Sequence, residues 1–412
     1  MSRGDPYSDD IDWLDVGSDG APGGTAPPRR PWPRWFTAAV VLAVVALVLS
    51  VLNRERGTQS TAGVSTAPTT SPTPAPTTPA PSQTAPATFT VPPSAPTSTL
   101  PAVSVTRLGR PLLGATTGWE LIARGDEVLV RIELAAGRIT RTTVPGSRSD
   151  QGFVSLLAGA DRVLIQPLER VPGYLVPDGK PSRELPVHDR DGWAFPGPAP
   201  NQMWMRSGGS QPVMALTTLD GGKLAGSLPM PPDSAAYEVV ADGAGGLLVS
   251  GVGGVYTARP DGVRRISTGA LLAVGPTGWL VAECDDRYRC QTVLIGRVDG
   301  SRQTVNAAIP IRSPRGVISP DGATAAMITF DHSGRIGLEL INLASGSRRA
   351  LKVLLYMESY DGGGIAFSPD SALVFAVTAE KTLAVINRET GTVGSLGAPL
   401  PPLSQLALRP AG

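Results

Sequence analysis

Lysine is nearly missing from this sequence. Lys180, Lys223, Lys352 and Lys381 stand against 32 arginines, a bias that points to a GC-rich coding genome of the bacterial kind. Histidine is scarcer still, with only His188 and His332. That leaves little material for the imidazole chemistry of catalytic triads and zinc sites. Acidic and basic side chains nearly cancel to a net charge of +1, so no basic field invites nucleic acid. No phosphate-cradling loop, Gly-x-Ser-x-Gly elbow or metalloprotease histidine motif occurs. The expectation is therefore no catalytic residue, no metal site and no cofactor. No apolar stripe of helical period is sustained over three turns beyond residue 105, which argues against a helical fold there.

Cysteine is limited to Cys284 and Cys290. A close, even pair in a segment exposed to an oxidising compartment reads as a disulfide closing a five-residue polar loop. Two free thiols are one alternative. A metal site with Glu283, Asp285 and Asp286 is the other, although it is short of ligands.

Charge is also missing from two stretches near the N-terminus, for different reasons. From Phe36 to Leu52 the chain reads FTAAVVLAVVALVLSVL. At about 1.5 Å per residue this run approaches the hydrocarbon thickness of a bilayer. Trp32 and Trp35 suit the interface, and Arg29, Arg30 and Arg34 precede the run. That bias places the N-terminus in the cytoplasm. We expect a single transmembrane helix over 35–53, a cytoplasmic tail over 1–34, and everything after it extracytoplasmic. A cleaved signal peptide fits less well: its apolar core is shorter and its cleavage site nearer. A twin-arginine signal at Arg29-Arg30 is opposed by the flanking Pro31 and Pro33.

The second charge-free stretch covers 57–106. Between Thr58 and Val103 it holds 11 Pro, 13 Thr and 6 Ser. Repeated proline keeps such a chain extended and coreless. We expect a disordered linker over 54–103, open to O-glycosylation or a bare spacer. In the tail, Asp9 to Val16 alternates acids with Ile, Trp, Leu and Val. It is either a docking motif or simply solvated chain.

Residues 104–412 are short apolar runs broken by Gly, Pro, Asp and Ser, the signature of an all-β domain. One feature repeats: an apolar strand, a glycine turn, then a polar strand. The first glycines of these turns are Gly137, Gly179, Gly221, Gly262, Gly300, Gly346 and Gly391, at intervals of 42, 42, 41, 38, 46 and 45. A period of about 40–50 residues built from four strands is that of a β-propeller blade. We expect a seven-bladed propeller, with glycine supplying the positive φ of two-residue hairpins. The segment 404–412 looks like an inner strand, and the first blade, starting near Trp119, lacks one. The C-terminal strand should therefore close the ring.

Two segments carry a family resemblance. RGVISPDGATAAMITF (315–330) with LELINLASG (338–346), and GIAFSPDSALVFAVT (364–378) with TLAVINRETG (382–391), share the Ser-Pro-Asp turn and strand pattern. In this they resemble the repeats of the TolB-like and WD-related β-propellers, in a bacterial, single-pass membrane-anchored form. The Trp-Asp dipeptide is absent. The resemblance implies a propeller that binds a partner through loops gathered on one face. The best-equipped loops are 187–195, with His188, Asp189, Arg190, Asp191 and Trp193, and 354–364, with Tyr356, Glu358 and Tyr360. Aromatic and charged side chains together are typical of binding hot spots; packing between blades is the alternative for each ring. His188 to Trp193 also resembles a truncated calcium loop without its late glutamate. The leading expectation is a non-enzymatic, membrane-anchored module for a protein or envelope ligand. A propeller hydrolase or lactonase is the second expectation, and a sensor signalling to the tail the third.

Overall fold

The computed structural model describes residues 102–410 apart from 116–117, 149–153, 168–170, 187–192, 208–212, 232–237, 252, 308, 310–315, 331–333 and 357–362. The expected tail, membrane span and linker lie outside the described residues, except Ala102 and Val103. Among the described residues no helix is long and apolar enough to cross a membrane.

All regular structure described is strand, arranged as a propeller. Sheets over 154–184, 194–229, 238–267 and 365–395 each contain four strands paired in sequence order. Their first strands form the inner edge. The inner strand Leu403–Pro410 touches Val154–Ala158, which touches Ala194–Pro196, and Ile365–Phe367 closes back onto Leu403–Pro410. The first sheet is five-stranded. Leu403–Pro410 pairs antiparallel with Trp119–Gly125, from Trp119 opposite Pro410 to Gly125 opposite Leu403. The expected closure by the C-terminal strand is thus present. The fifth strand, Val103–Arg107, adds to the outer edge on Arg138–Thr143; the sequence gives no sign of this pairing.

The expected seven separate blades need correction. Five sheets stand separately, and residues 270–354 form one eight-stranded sheet. It consists of two four-stranded antiparallel units joined by a parallel pairing of inner strands, Ala273 with Gly316 and Val274 with Val317. Gly316 lets this strand pack closely on the next strand of its own unit, since a Cβ there would lie 2.4 Å from the carbonyl oxygen of Ala326.

The sheets bury both faces, which explains their unbroken apolar runs. Leu247 and Val249 pack toward the preceding sheet, beside Trp204 and Phe195. Leu248, between them, packs toward the following sheet with Trp279 and Val281. The last interface joins Phe375 and Val385 to Trp119 and Leu121, with Trp119 edge-on to Phe375 at 5.6 Å. Burying one such apolar side chain contributes about 1.5–3 kcal/mol, and every sheet does this on two sides.

All seven repeat glycines have positive φ, from 57° at Gly137 to 140° at Gly262. Six of them sit between the third and fourth strands of successive units, and Gly262 is the first residue of its fourth strand. Only Pro260-Asp261 is a two-residue turn, with Arg259 paired to Gly262. Others are longer than expected. At Asn342 the backbone N–H of Gly346 donates to the Asn342 carbonyl, and the Asn342 side chain accepts from the N–H groups of Ala344 and Ser345 at 3.0 and 2.9 Å. Asn387 does the same with Glu389 and Thr390.

The Ser-Pro-Asp segments form the turns between first and second strands. The buried Ser319 hydroxyl donates to Asp321 at 2.6 Å and accepts from the Thr324 N–H at 3.0 Å. Ser368 likewise accepts from the Leu373 N–H at 2.9 Å. Asp321 also reaches the next sheet. Its N–H donates to the Ser371 hydroxyl at 3.0 Å, and Arg388 pairs with its carboxylate. Burial alone would raise the Asp321 pKa, but bonds from Ser319, the Ala323 N–H and Arg388 outweigh it and hold the group down to about 2.

Cys284 and Cys290 face each other at the end of paired strands Gly278–Cys284 and Cys290–Gly296, and they are disulfide-bonded. Asp285 organises the loop. Its carboxylate accepts from the Arg287 and Arg289 N–H groups at 3.0 and 2.9 Å.

Candidate functional site

Inner strands from several sheets surround a central cavity of about 520 Å³. Its wall is built by position: Val154–Ala158, Ala194–Pro196, Glu238–Ala241, Ala270–Val274 and Gly316–Ile318 each contribute. Inner strands taper toward the axis, so their side chains are only partly covered by neighbouring sheets. Leu156, Val239, Val240, Val274 and Val317 are each half-buried where they line the space.

Polar groups in the wall are few. Ser155 is half-buried, and its hydroxyl accepts from the Ala194 N–H at 3.4 Å. Glu238, at the start of its strand, is exposed and lines the same space. Trp193 lies one residue before the strand Ala194–Pro196. Its ring stacks on Phe195 with centroids 6.0 Å apart and planes 19° from parallel. An apolar wall with isolated polar groups and a stacked aromatic at its edge is suited to holding an apolar or aromatic group while fixing its orientation.

Among the residues that the sequence singled out, Trp193 lines this cavity. Tyr356 does not line it. It is half-buried against the cluster joining the last and first sheets, with the Lys381 ammonium 4.8 Å from its ring centroid. His188, Asp189, Arg190, Asp191, Glu358 and Tyr360 lie outside the described residues, as does His332. Ser155 and Glu238 escaped sequence reading because nothing marks them apart from other strand residues; only the ring arrangement brings them to the axis. Among the described residues no group of three or more His, Cys, Asp or Glu side chains is placed to hold a metal ion.

Fold and cavity together define a β-propeller with an axial pocket. No family model matches the chain, and no curated protein matches it. Solved structures do. TolB from Acinetobacter baumannii is similar at 14% identity over 72% of this chain and 68% of that one, with a TM-score of 0.42. AztD from Citrobacter koseri is similar at 12% identity over 72% and 99%, with a TM-score of 0.39. A puromycin-hydrolyzing peptidase from Mycobacterium tuberculosis is similar at 14% identity over 72% and 53%, with a TM-score of 0.45.

Proposed function

We propose that this protein is a membrane-anchored, extracytoplasmic binding module that takes a protein or cell-envelope ligand at the mouth of its central cavity, without catalysing a reaction. The observation that carries this reading is the cavity wall: half-buried Leu and Val side chains, Ser155 and Glu238 as separated polar groups, and the Trp193–Phe195 stack at the rim. Stacked aromatics beside an apolar recess are where binding energy concentrates. The charge-free run 36–52, preceded by three arginines, supports the anchor. The Pro/Thr-rich linker 54–103 supports display of the propeller away from the bilayer, since a proline-rich chain spans about 3.1 Å per residue.

Site-specific photo-crosslinking in intact cells tests the proposal. An aromatic photoreactive residue at position 193, which keeps a ring beside Phe195, should give a discrete adduct. The same residue at Leu224, on the outer strand Lys223–Pro229, should not. Equal labelling from both positions, or none from 193, would contradict the reading.

A further inference from the structure

A second recess lies far from the axis. It is a groove of about 480 Å³ between the outer strands of the sheet 238–267 and of the neighbouring unit 270–305. Five arginines line it: Arg259, Arg264, Arg265, Arg297 and Arg302. Two aspartates, Asp261 and Asp299, share the lining. This concentration is local, since the whole chain carries a net charge of only +1.

The five differ in what already holds them. Arg259 lies 3.3 Å from buried Asp242, whose other oxygen accepts from the Ala244 and Gly246 N–H groups. Arg302 pairs with Glu283 at 2.6 Å. Arg264, Arg265 and Arg297 have no carboxylate partner among the described residues. Arg297 is fixed in place: its Nη1 donates to the Gly243 carbonyl at 3.0 Å, while its Nε is shielded from solvent with no acceptor. Asp299 is engaged by its own turn, accepting from the Ser301 N–H at 3.0 Å.

We propose that this groove binds a polymer with closely spaced phosphate groups. The guanidinium fork matches phosphate oxygens and keeps its charge at every physiological pH. A single small anion does not fit the layout. On the strand Gly262–Ser267 Arg264 lies opposite Thr257 and faces the groove, whereas Arg265 lies opposite Tyr256 and leaves the other face, so the two cannot chelate one phosphate. A chain of phosphates passing over this exposed edge strand can engage both and still reach Arg297 in the groove. This surface is distinct from the axial cavity, so either reading can fail without the other.

The test uses full-length protein in detergent micelles and fluorescently labelled inorganic polyphosphate, read by anisotropy across a salt series. The wild type should bind, with affinity falling steeply as salt rises. Orthophosphate and polyglutamate at matched charge should compete at least tenfold more weakly. The double variant Arg264→Ala/Arg265→Ala should lose at least tenfold in affinity. Its log–log salt slope should shrink by about two, with an unchanged melting temperature. The control Arg107→Ala/Lys180→Ala, two exposed cations on other strands and turns, should bind as wild type. The proposal is overturned if the control weakens binding as much as the groove variant does, if the groove variant binds normally, or if orthophosphate or polyglutamate competes equally.

Discussion

Arg409 donates from both Nε and Nη2 to one carboxylate oxygen of Glu120, at 2.9 and 2.8 Å, across 289 positions of sequence. Its Nη2 also meets Asp178 at 2.6 Å, and its Nη1 the Gly159 carbonyl at 3.0 Å. Arg131 completes the group, donating to both Glu120 oxygens at 2.7 and 2.5 Å. The closing strand is therefore tied to its own sheet through Glu120 and to the next sheet through Asp178 and Gly159. Removing one member leaves buried charge uncompensated, which costs about 3–5 kcal/mol. Arg409→Ala should lower the urea unfolding midpoint by a corresponding amount, and deletion of 403–412 should lower it further. A midpoint within error of wild type for either variant would contradict the closure.

The same group sets an acid limit. Burial alone would raise the Glu120 pKa, but the bonds from Arg131 and Arg409 outweigh it and hold the folded value below the ordinary 4.5. Asp161 is held to about 2, chiefly by Arg162, and Asp321 also to about 2. A carboxylate depressed in the folded state binds fewer protons there than in the unfolded chain. Its contribution is fully present well above its unfolded pKa and is lost as pH falls through the folded one. Melting temperature should therefore decline between about pH 4.5 and about pH 2. Glu120→Gln should start lower at pH 7 and show a shallower decline. A parallel decline would remove Glu120 from this account.

The repeat glycines should divide into two groups under substitution. Gly179 has φ +65° and open space around a would-be Cβ, so Gly179→Ala should cost only the left-handed penalty of about 1–2 kcal/mol. Gly346 has φ +73°, and its Cβ would lie 2.0 Å from the Asn306 carbonyl oxygen. Gly346→Ala must also displace the segment carrying Asn306, and should be clearly more destabilising by chemical denaturation. Equal costs would mean that the turn packs more loosely against Asn306 than described.

Removing the disulfide should act locally. The loop that it closes is short, and loop-closure entropy gives about 2 kcal/mol for a ring of this size. The paired strands Gly278–Cys284 and Cys290–Gly296 already hold the hairpin together. Cys284→Ser/Cys290→Ser should lower the melting temperature modestly, and hydrogen exchange should rise only around Asp285–Arg289. Loss of protection across the whole sheet 270–354 would contradict this.

Much of the fold was legible because backbone demands leave local marks. Gly137 through Gly391 recur because the turn after each third strand needs a positive φ, and Ser319 and Ser368 mark turns that their own hydroxyls close. The closing strand was legible because 404–412 carries inner-strand character without a sheet of its own. The parallel seam between Ala273 and Gly316 was not, since strand pairing between repeats leaves no periodic signal. The buried Glu120–Arg131–Arg409 group was hidden because charged residues in strands ordinarily face water. At the site, Trp193 stood out by residue type. Ser155 and Glu238 did not, since their role comes only from lying near the axis.

Filling the cavity tests the account most directly. Ser155→Trp places a large ring on a half-exposed wall position, and a photoreactive residue at 193 in the same protein reports the ligand. The account predicts that the adduct from position 193 disappears while the melting temperature and circular dichroism stay at wild-type values. An undiminished adduct in the filled, folded protein would show that the ligand does not use the central cavity.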